Sequence, residues 1–416
     1  MNSWPSPLIP QLNGTGEALR LKNPVTNNLD TVELRDKTAR MYVCGITPYD
    51  ATHLGHASTY VTFDLAARVW HDAGATVHYV QNVTDIDDPL LERAARDGVD
   101  WRDLAHQEVE LFKEDMTALR VIAPDAFIGV VETMPRHVDV VNRLAAAGVA
   151  YSVEIPEEDG PAPGAADVYL DLSGQPTFGE VSGWDRAEMM SVFADRGGDP
   201  GRAGKRNELD PLLWRGNRAD EPSWDGGAVG PGRPGWHVEC TTIALDHLGM
   251  GFDLQGGGTD LRFPHHEMSA VQAVALTGDK PFAQHYARQA MVAYDGEKMS
   301  KSKGNLVLVS ALRREGHDPM AIRLVLLDQH YQVEWEYTAD LLVAAEQRLG
   351  NWRAAFGRGN DEGACELIDA IRGTLSDDLD SPRAVALVDD WCRAATAEGA
   401  SPRAAAAIDA LLGVAL

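Results

Sequence analysis

A strand, a histidine-containing turn and a helix follow one another near the N-terminus, and this succession most constrains the fold. The run Met41–Gly45 has the length and apolar composition of a buried parallel strand. Residues Thr59–Trp70 carry apolar side chains at helical spacing. The tetrad His53–His56 lies between them, so we place it on the turn from the strand into the helix. Backbone N–H groups and the helix dipole make such a turn a favourable place for a bound anion.

The rest of the chain extends this unit into an α/β fold, which we predict to be a Rossmann-like doubly wound parallel sheet. His78–Asn82 and Phe252–Gln255 read as further strands, and a polar cluster and a glycine stretch follow them. Ligands bind where parallel strands of such sheets end. The predicted division is residues 1–120 for the first half of the catalytic domain, 121–231 for an insertion rich in Gly, Pro and acidic residues, 232–320 for the second half, and 321–416 for a shortened C-terminal helical bundle.

Composition bounds the possible partners and compartment. The 416 residues include 37 Lys and Arg against 63 Asp and Glu, a formal net charge of −26, which is a poor match for a long nucleic acid. Four scattered cysteines cannot form a disulfide framework, which favours a reducing, cytoplasmic environment. The sequence has no signal-peptide pattern and no apolar run of membrane-spanning length.

Three groups of residues have side chains that could serve either chemistry or a plain structural role. The imidazoles of His53 and His56 can donate hydrogen bonds to phosphate oxygens, although two histidines near a glycine also occur in solvated loops. The stretch Lys298–Ser302 follows the turn signal Asp295-Gly296, and its two lysines suit a clamp on a polyphosphate or simply an exposed loop. Asp87 and Asp88 follow a strand and could either face a ligand or cap the next helix.

The two signatures together resemble those of the class I aminoacyl-tRNA synthetases, His-x-Gly-His and Lys-Met-Ser-Lys-Ser. Four further stretches look like the cysteine-specific branch of that family: Tyr42–Thr47, Thr84–Asp88, Gly232–Cys240 and Gly256–Glu267. This resemblance implies a zinc ion held by Cys44, Cys240 and His265. Spacing alone does not form a zinc motif, and buried cysteines are common. Zinc takes thiolate strongly and an alcohol poorly, so such a site would distinguish cysteine from serine.

The resemblance also implies a role for each matching residue. The residues implied in catalysis are His53, His56, Lys298 and Lys301. Those implied in binding ATP, which would arrive with Mg²⁺, are Gly55, Thr59, Gly257, Gly258, Asp260 and Val292, together with the two lysines. Those implied in binding cysteine are Cys44, Gly45, Thr47, Thr84 and Trp236.

The chain departs from cysteinyl-tRNA synthetases in two places. Ser269 occupies the position at which those enzymes carry a glutamate as the fourth zinc ligand. Only about 110 residues follow the lysine-serine loop, and from 331 onward seven Arg and no Lys face fifteen Asp and Glu, a net charge of −8. A short acidic tail is badly suited to RNA phosphates.

Both departures fit a related family, the ligases that join cysteine to glucosaminyl-inositol in mycothiol biosynthesis. Thr47–His56, Val80–Pro89 and Tyr294–Lys298 look like that family. It implies an AMP-forming ligase with ATP, L-cysteine and glucosaminyl-inositol as substrates, and we expect a monomer that binds neither tRNA nor membrane. Two alternatives stay open: a cysteinyl-tRNA synthetase with a reduced tail, and a non-catalytic nucleotide-binding paralogue. The sequence does not identify the sugar-amine site, a base for the amine or a fourth zinc ligand.

Overall fold

The computed structural model describes residues 1–299, 304–356, 363–394 and 401–416. The strands are β1 (Arg20–Lys22), β2 (Leu29–Thr31), β3 (Thr38–Ile46), β4 (Thr76–Val83), β5 (Ala126–Gly129), β6 (Ala150–Val153), β7 (Asp167–Leu170), β8 (Leu212–Gly216), β9 (Gly232–Pro234), β10 (Phe252–Gly258), β11 (Ala283–Gln289), β12 (Val292–Tyr294), β13 (Glu297–Lys298) and β14 (Trp335–Glu336). The α-helices are α1 (Leu54–Asp72), α2 (Asp88–Asp97), α3 (Trp101–Ala118), α4 (Met134–Ala146), α5 (Arg186–Phe193), α6 (Trp236–Leu248), α7 (His265–Thr277), α8 (Val309–Arg314), α9 (Pro319–Leu327), α10 (Ala339–Phe356), α11 (Ala364–Ser376), α12 (Ser381–Ala394) and α13 (Pro402–Leu412).

A parallel sheet of five strands forms the centre of the fold, in the order β11–β10–β3–β4–β5. Within this sheet, β3 is the first strand along the chain and lies in the middle. β4 and β5 follow on one side of it, and β10 and β11 lie on the other side. Strand order therefore reverses between β3 and β10, and the carboxyl ends of these two strands border a crevice of the kind that binds ligands. The predicted Rossmann-like α/β class is confirmed.

The alternation of side chains along β3 decides which helices meet its residues. Met41 and Val43 belong to the core shared with α1 and the C-terminal helices. Tyr42 and Cys44 point to the other face, into the core that contains α6 and α7. Cys44 is thereby directed towards the two helices that carry Cys240 and His265.

Helix α1 begins at Leu54, five residues before the predicted start, because His53 is its N-cap. The glycine stretch Gly256–Gly258 continues β10, which we predicted to end at Gln255. Glycine is needed at position 256 for a steric reason: a Cβ there would lie 2.5 Å from the ring of Phe63 on α1. Glycine here lets the strand and the helix approach closely.

The insertion contains more regular structure than its composition predicted. Strands β6 to β9 form an antiparallel sheet of four strands in chain order. Trp214 on β8 is fully buried, and Asp167 on β7 pairs with Arg202 and Arg218. The last strand, β9, lies beyond residue 231, where we placed the end of the insertion. The predicted domain limits themselves stay predictions.

The C-terminal helices pack on α1 through a buried cluster of charges. Asp64 on α1 accepts hydrogen bonds from Arg68, at 2.8 Å, and from Arg323 on α9, and all three side chains are shielded from solvent. Arg68 also donates to the main-chain oxygens of Asp409 and Ala410 on α13, at 2.7 and 3.1 Å. The predicted C-terminal helical region is confirmed, apart from β14, which pairs with β12.

Among the described residues, no helix combines the length and the apolar character needed to cross a membrane.

Candidate active site

A cavity of about 360 Å³ opens where β3 and β10 end. Eleven of the residues implied in binding or catalysis line it: Cys44, Gly45, Thr47, His53, Gly55, His56, Thr59, Trp236, Gly258, Asp260 and Val292. Four others are outside its lining: Thr84, Cys240, Gly257 and His265. The end of β3, the turn that carries the two histidines and the start of α1 thus border the same cavity.

The two histidines of the tetrad stack at the N-terminus of α1, with ring centroids 3.9 Å apart. His53 Nδ1 accepts a hydrogen bond from the Gly55 main-chain N–H at 3.1 Å, which caps the helix. Because Nδ1 is an acceptor, the single proton of a neutral His53 ring is on Nε2. Burial lowers the pKa of His53 to about 2, and His56 adds to this effect. Burial likewise lowers the pKa of His56.

Gly55 has a local role that the sequence did not indicate. A Cβ at this position would lie 2.9 Å from Cε1 and 3.0 Å from Nδ1 of His53. The glycine therefore allows the His53 ring to fold back onto the first turn of α1. The room it leaves next to the cavity is compatible with the predicted approach of a nucleotide.

Behind the cavity wall, two thiols and one imidazole come together. Ligand atoms of Cys44, Cys240 and His265 all lie within 4.8 Å of one another, and the three residues are buried. His265 Nε2 is 3.1 Å from Cys240 Sγ. Burial raises the pKa of the Cys240 thiol well above its ordinary value. Two sulfurs and one imidazole nitrogen in a buried cluster form a donor set that suits zinc.

The orientation of His265 is set by its neighbours. Its Nδ1 lies 3.1 Å from Nδ1 of His237, one turn before Cys240 on α6. Two imidazole nitrogens at this distance share one proton, so His265 can keep Nε2 free for a metal while Nδ1 carries the proton. The Trp236 ring covers the His265 ring at a centroid distance of 4.4 Å and forms part of the cavity wall.

Ser269 is not directed to this cluster as a ligand. Its hydroxyl donates to the main-chain oxygen of His237 at 3.2 Å, and the residue is fully buried. The nearby acid Glu267 is also engaged elsewhere, since it accepts hydrogen bonds from the N–H groups of Gly179 and Ser182 at 2.7 and 2.6 Å. Among the described residues, the metal-ligating cluster thus has three members.

Thr84 supports the cluster from outside the cavity lining. Its hydroxyl donates to Glu239 at 3.1 Å and accepts from Asn82 at 3.1 Å. Asn82 Oδ1 in turn accepts from the Gly45 N–H at 2.8 Å. Burial raises the pKa of Glu239 well above its ordinary value. Thr84 therefore fixes the backbone at the end of β3 through Asn82.

Sequence reasoning missed Asn82, Gln255 and His266, all of which contact the thiols or the strand end next to them. A signal for two of them was present, since Asn82 and Gln255 are amides within predicted buried strands, and buried polar side chains need partners. Of the two roles open for Asp87, facing a ligand or capping the next helix, the structure has the cap: its carboxylate accepts from the Asp88 N–H at 2.8 Å at the start of α2.

The predicted turn before the lysine-serine loop is present. Asp295 and Gly296 have φ angles of +56° and +76° and join β12 to β13 as a tight hairpin. Met299 and Val292 line the cavity. The backbone of Lys298 belongs to β13, and its side chain is not described. Ser300, Lys301 and Ser302 lie outside the described residues.

Comparison with known proteins agrees with this arrangement. A family model for the tRNA synthetases class I (C) catalytic domain matches residues 30–347. A structure of Mycobacterium tuberculosis methionyl-tRNA synthetase in complex with methionyl-adenylate superposes with a TM-score of 0.58 at 17% identity, and covers 91% of this chain and 88% of that one. The fold and the site define a class I aminoacyl-tRNA synthetase catalytic domain.

Full-length relatives narrow the assignment. The L-cysteine:1D-myo-inositol 2-amino-2-deoxy-alpha-D-glucopyranoside ligase of Streptomyces scabiei is 56% identical over 421 residues, and 100% of each chain is covered. The ligase of the same name from Geodermatophilus obscurus is 57% identical over 428 residues, covering 100% of this chain and 99% of that one. The chain belongs to this ligase family within the class I synthetases.

Proposed function

We propose that this protein is the ATP-dependent ligase that activates L-cysteine as cysteinyl-adenylate and transfers it to the amine of glucosaminyl-inositol, a step of mycothiol biosynthesis. The observation that carries the proposal is the cavity itself. It has a helix N-terminus with two neutral imidazoles on one side and borders a buried cluster of two thiols and an imidazole. One end suits a nucleotide phosphate and the other suits a thiol substrate, and full-length relatives carry the name of this ligase.

In the first step, the carboxylate of cysteine attacks the α-phosphorus of Mg-ATP and pyrophosphate leaves. His53 Nε2–H and His56 would donate to the phosphates at the start of α1, where the helix dipole adds to the attraction. Lys298 and Lys301 would close over the pyrophosphate charge. The glycines Gly55, Gly257 and Gly258 would let the nucleotide approach the backbone, and Asp260 would lie near the ribose. Thr59 and Val292 complete the proposed nucleotide site.

At the other end, Gly45, Thr47 and Trp236 would surround the cysteine substrate, and Thr84 would hold the wall behind it. Zinc fits the cluster of Cys44, Cys240 and His265 because its donors are soft, buried and close together. When bound, zinc would supply a position for a thiolate, which separates cysteine from serine without an editing site. Ser269, bonded to a main-chain oxygen, leaves that position free of a fourth protein ligand.

In the second step, the amine nitrogen attacks the carbonyl carbon of the adenylate. An amide bond forms, the bond from that carbon to the phosphate oxygen breaks, and AMP leaves with one proton released from the amine. The carboxylates of Asp50 and Asp260 line the cavity and would favour binding of the sugar amine as its cation, which loses one proton to become the nucleophile before it attacks. No described side chain has a geometry that singles it out as the base.

The alternative acceptor is tRNA, which the match to a tRNA synthetase model brings forward. The ion pairs of the C-terminal helical region favour the sugar amine over tRNA as the acceptor. Four of its arginines already bind carboxylates: Arg348 with Asp328 and Asp389, Arg353 with Asp318, Arg372 with Asp72, and Arg393 with Asp390. Positive charges that are neutralised within the fold contribute little to holding RNA phosphates.

AMP release tests the proposal directly. Purified protein is incubated with ATP and L-cysteine, and AMP is measured with no acceptor, with glucosaminyl-inositol, or with bulk tRNA. We expect a large increase only with glucosaminyl-inositol. An increase only with tRNA would identify a synthetase, and no AMP with any acceptor would favour a non-catalytic paralogue. L-serine in place of L-cysteine is the matched substrate control and should release little AMP.

The monomeric state, the cytoplasmic location and the limits of the domains stay predictions. Elution volume with light scattering measures the first of them.

A further inference from the structure

A line of three buried side chains reaches the metal-ligating cluster from β11. Arg288 Nε donates to His266 Nδ1 at 3.2 Å, and His266 Nε2 lies 3.5 Å from Cys44 Sγ. Arg288 is 7% exposed, and His266 and Cys44 are buried as well. Arg288 and His266 are absent from the cavity lining and have no part in the reaction steps described above.

The chemistry of arginine fixes the direction of these hydrogen bonds. A guanidinium has only donors, so His266 Nδ1 must accept and carries no proton. A neutral imidazole has one proton, which is therefore on Nε2 and faces the Cys44 sulfur.

Cys44 receives a second donor from the next strand. Gln255 Nε2 lies 3.3 Å from Cys44 Sγ. Cys240 has different surroundings, since its sulfur lies 3.5 Å from the Asn82 amide oxygen, which can only accept. The two thiols of the cluster thus have unequal surroundings: two N–H groups lie beside the Cys44 sulfur, whereas the Cys240 sulfur lies beside the Asn82 oxygen and His265 Nε2.

Burying the Arg288 guanidinium at this position is energetically unfavourable. Its Nη1 and Nη2 are buried and have no hydrogen-bond partner among the described residues. Unpaired buried donors cost free energy that an apolar side chain of similar length would avoid. The guanidinium also lies over the Tyr286 ring, with Cζ 5.4 Å from the ring centroid. Its hydrogen bond among the described residues runs from Nε to His266, and we therefore look for its role there.

We propose that Arg288 and His266 are positioning residues that hold the Cys44 sulfur, by an oriented N–H donor, in place for the metal. This inference rests on the metal site of the proposed function. Hydrogen bonds to ligand atoms from the surrounding shell orient those ligands, and their loss typically weakens metal binding by about 10- to 100-fold.

Four variants separate this role from packing. Arg288→Met removes the donor to His266 and keeps the length of the side chain, whereas Arg288→Lys keeps a donor. His266→Gln keeps an amide N–H that can face Cys44 and an oxygen that can accept from Arg288. Arg262→Met is the matched control, because Arg262 is a nearby, half-buried arginine that donates to the Ser182 main-chain oxygen instead.

Two measurements apply to these proteins. In metal-free, ¹⁵N-histidine-labelled protein, NMR reports which ring nitrogen of His266 carries the proton, with the signals assigned by their loss in His266→Gln. Competition with a chromophoric chelator gives the Kd for zinc. We expect a proton on Nε2 in the unmodified protein, mixed tautomers in Arg288→Met, and a Kd about 10- to 100-fold weaker in that variant. Arg288→Lys and His266→Gln should recover most of the affinity, and Arg262→Met should match the unmodified protein.

The possible failures are distinguishable. A proton on Nδ1 of His266 in the unmodified protein overturns the hydrogen-bond chain. The expected tautomer with an unchanged zinc Kd in Arg288→Met overturns the positioning role. Failure of the unmodified protein to bind zinc overturns the metal site itself, and with it the role of both residues.

Discussion

Replacing His56 by alanine should separate catalysis from folding. The His56 ring stacks on His53 at 3.9 Å, and its buried Nδ1 has no hydrogen-bond partner among the described residues. Loss of one ring–ring contact costs about 0.5–1.5 kcal/mol of stability. Loss of a preorganised donor to a phosphate in the transition state costs about 2.7–4 kcal/mol, which corresponds to a decrease in rate of about 10²- to 10³-fold.

His53 offers a second, sharper comparison because it has two functions. His53→Ala removes the proposed phosphate donor and also the cap of α1, which is worth about 0.5–2 kcal/mol. His53→Asn restores a good capping side chain without restoring an imidazole N–H at the cavity. Both variants should lose activity to a similar extent, whereas only His53→Ala should also lose stability.

The assay is the cysteine-dependent exchange of labelled pyrophosphate into ATP, which reports adenylate formation without any acceptor. Thermal unfolding of each variant is followed in parallel. His71→Ala is the control, since His71 is an exposed histidine in the last turn of the same helix. Exchange in His56→Ala within threefold of the unmodified rate would refute the assignment of the phosphate site. A similar loss in His71→Ala would show that the effect comes from the helix as a whole.

Three further predictions follow from buried groups. Metal analysis should find one zinc per chain in the unmodified protein and in Cys392→Ser, a thiol in the tail, and almost none in Cys240→Ser; no zinc in the unmodified protein would contradict the site. Asp64→Asn should destabilise the protein by about 3–5 kcal/mol in denaturant titrations, because it leaves two buried arginines without a carboxylate; a change below about 1 kcal/mol would contradict this. Burial lowers the pKa of His53 to about 2, whereas the unfolded-state pKa is about 6.5. As the pH falls below about 6.5, the unfolded chain takes up a proton that the folded protein does not, so the free energy of unfolding declines. His53→Asn lacks this group and should lose less stability between about pH 6.5 and 4.

The sequence predicted the parts of the site that are local in the chain. The strand Met41–Gly45, the turn at His53–His56 and the helix after it follow from periodicity and from the residues that end each element. Their meeting with Cys240 and His265 followed only from the family resemblance, because spacing along the chain does not show which face of a strand meets which helix. The structure supplies the reason, which is the alternation that turns Cys44 towards α6 and α7.

Two features could not be predicted, for different physical reasons. The antiparallel sheet of the insertion is built from short strands separated by Gly- and Pro-rich segments, and its pairing joins β7 to β8 across more than 40 residues. The contacts of Arg288, His266 and Gln255 around Cys44 join three elements that are distant in the sequence. In both cases, tertiary contacts decide a structure that local preference leaves open.

Helix α1 connects the proposed chemistry to the tail, and this gives the tail a function that needs no RNA. Its first turn presents His53 and His56 to the cavity, and its middle carries Asp64, which binds Arg68 and Arg323. Arg68 of the same cluster donates hydrogen bonds to the main chain of α13. The C-terminal helices thus fix the position of the helix whose N-terminus faces the cavity and the proposed phosphate site. A class I catalytic domain that transfers its adenylate to a small amine can dispense with an anticodon-binding surface, but it still needs this support.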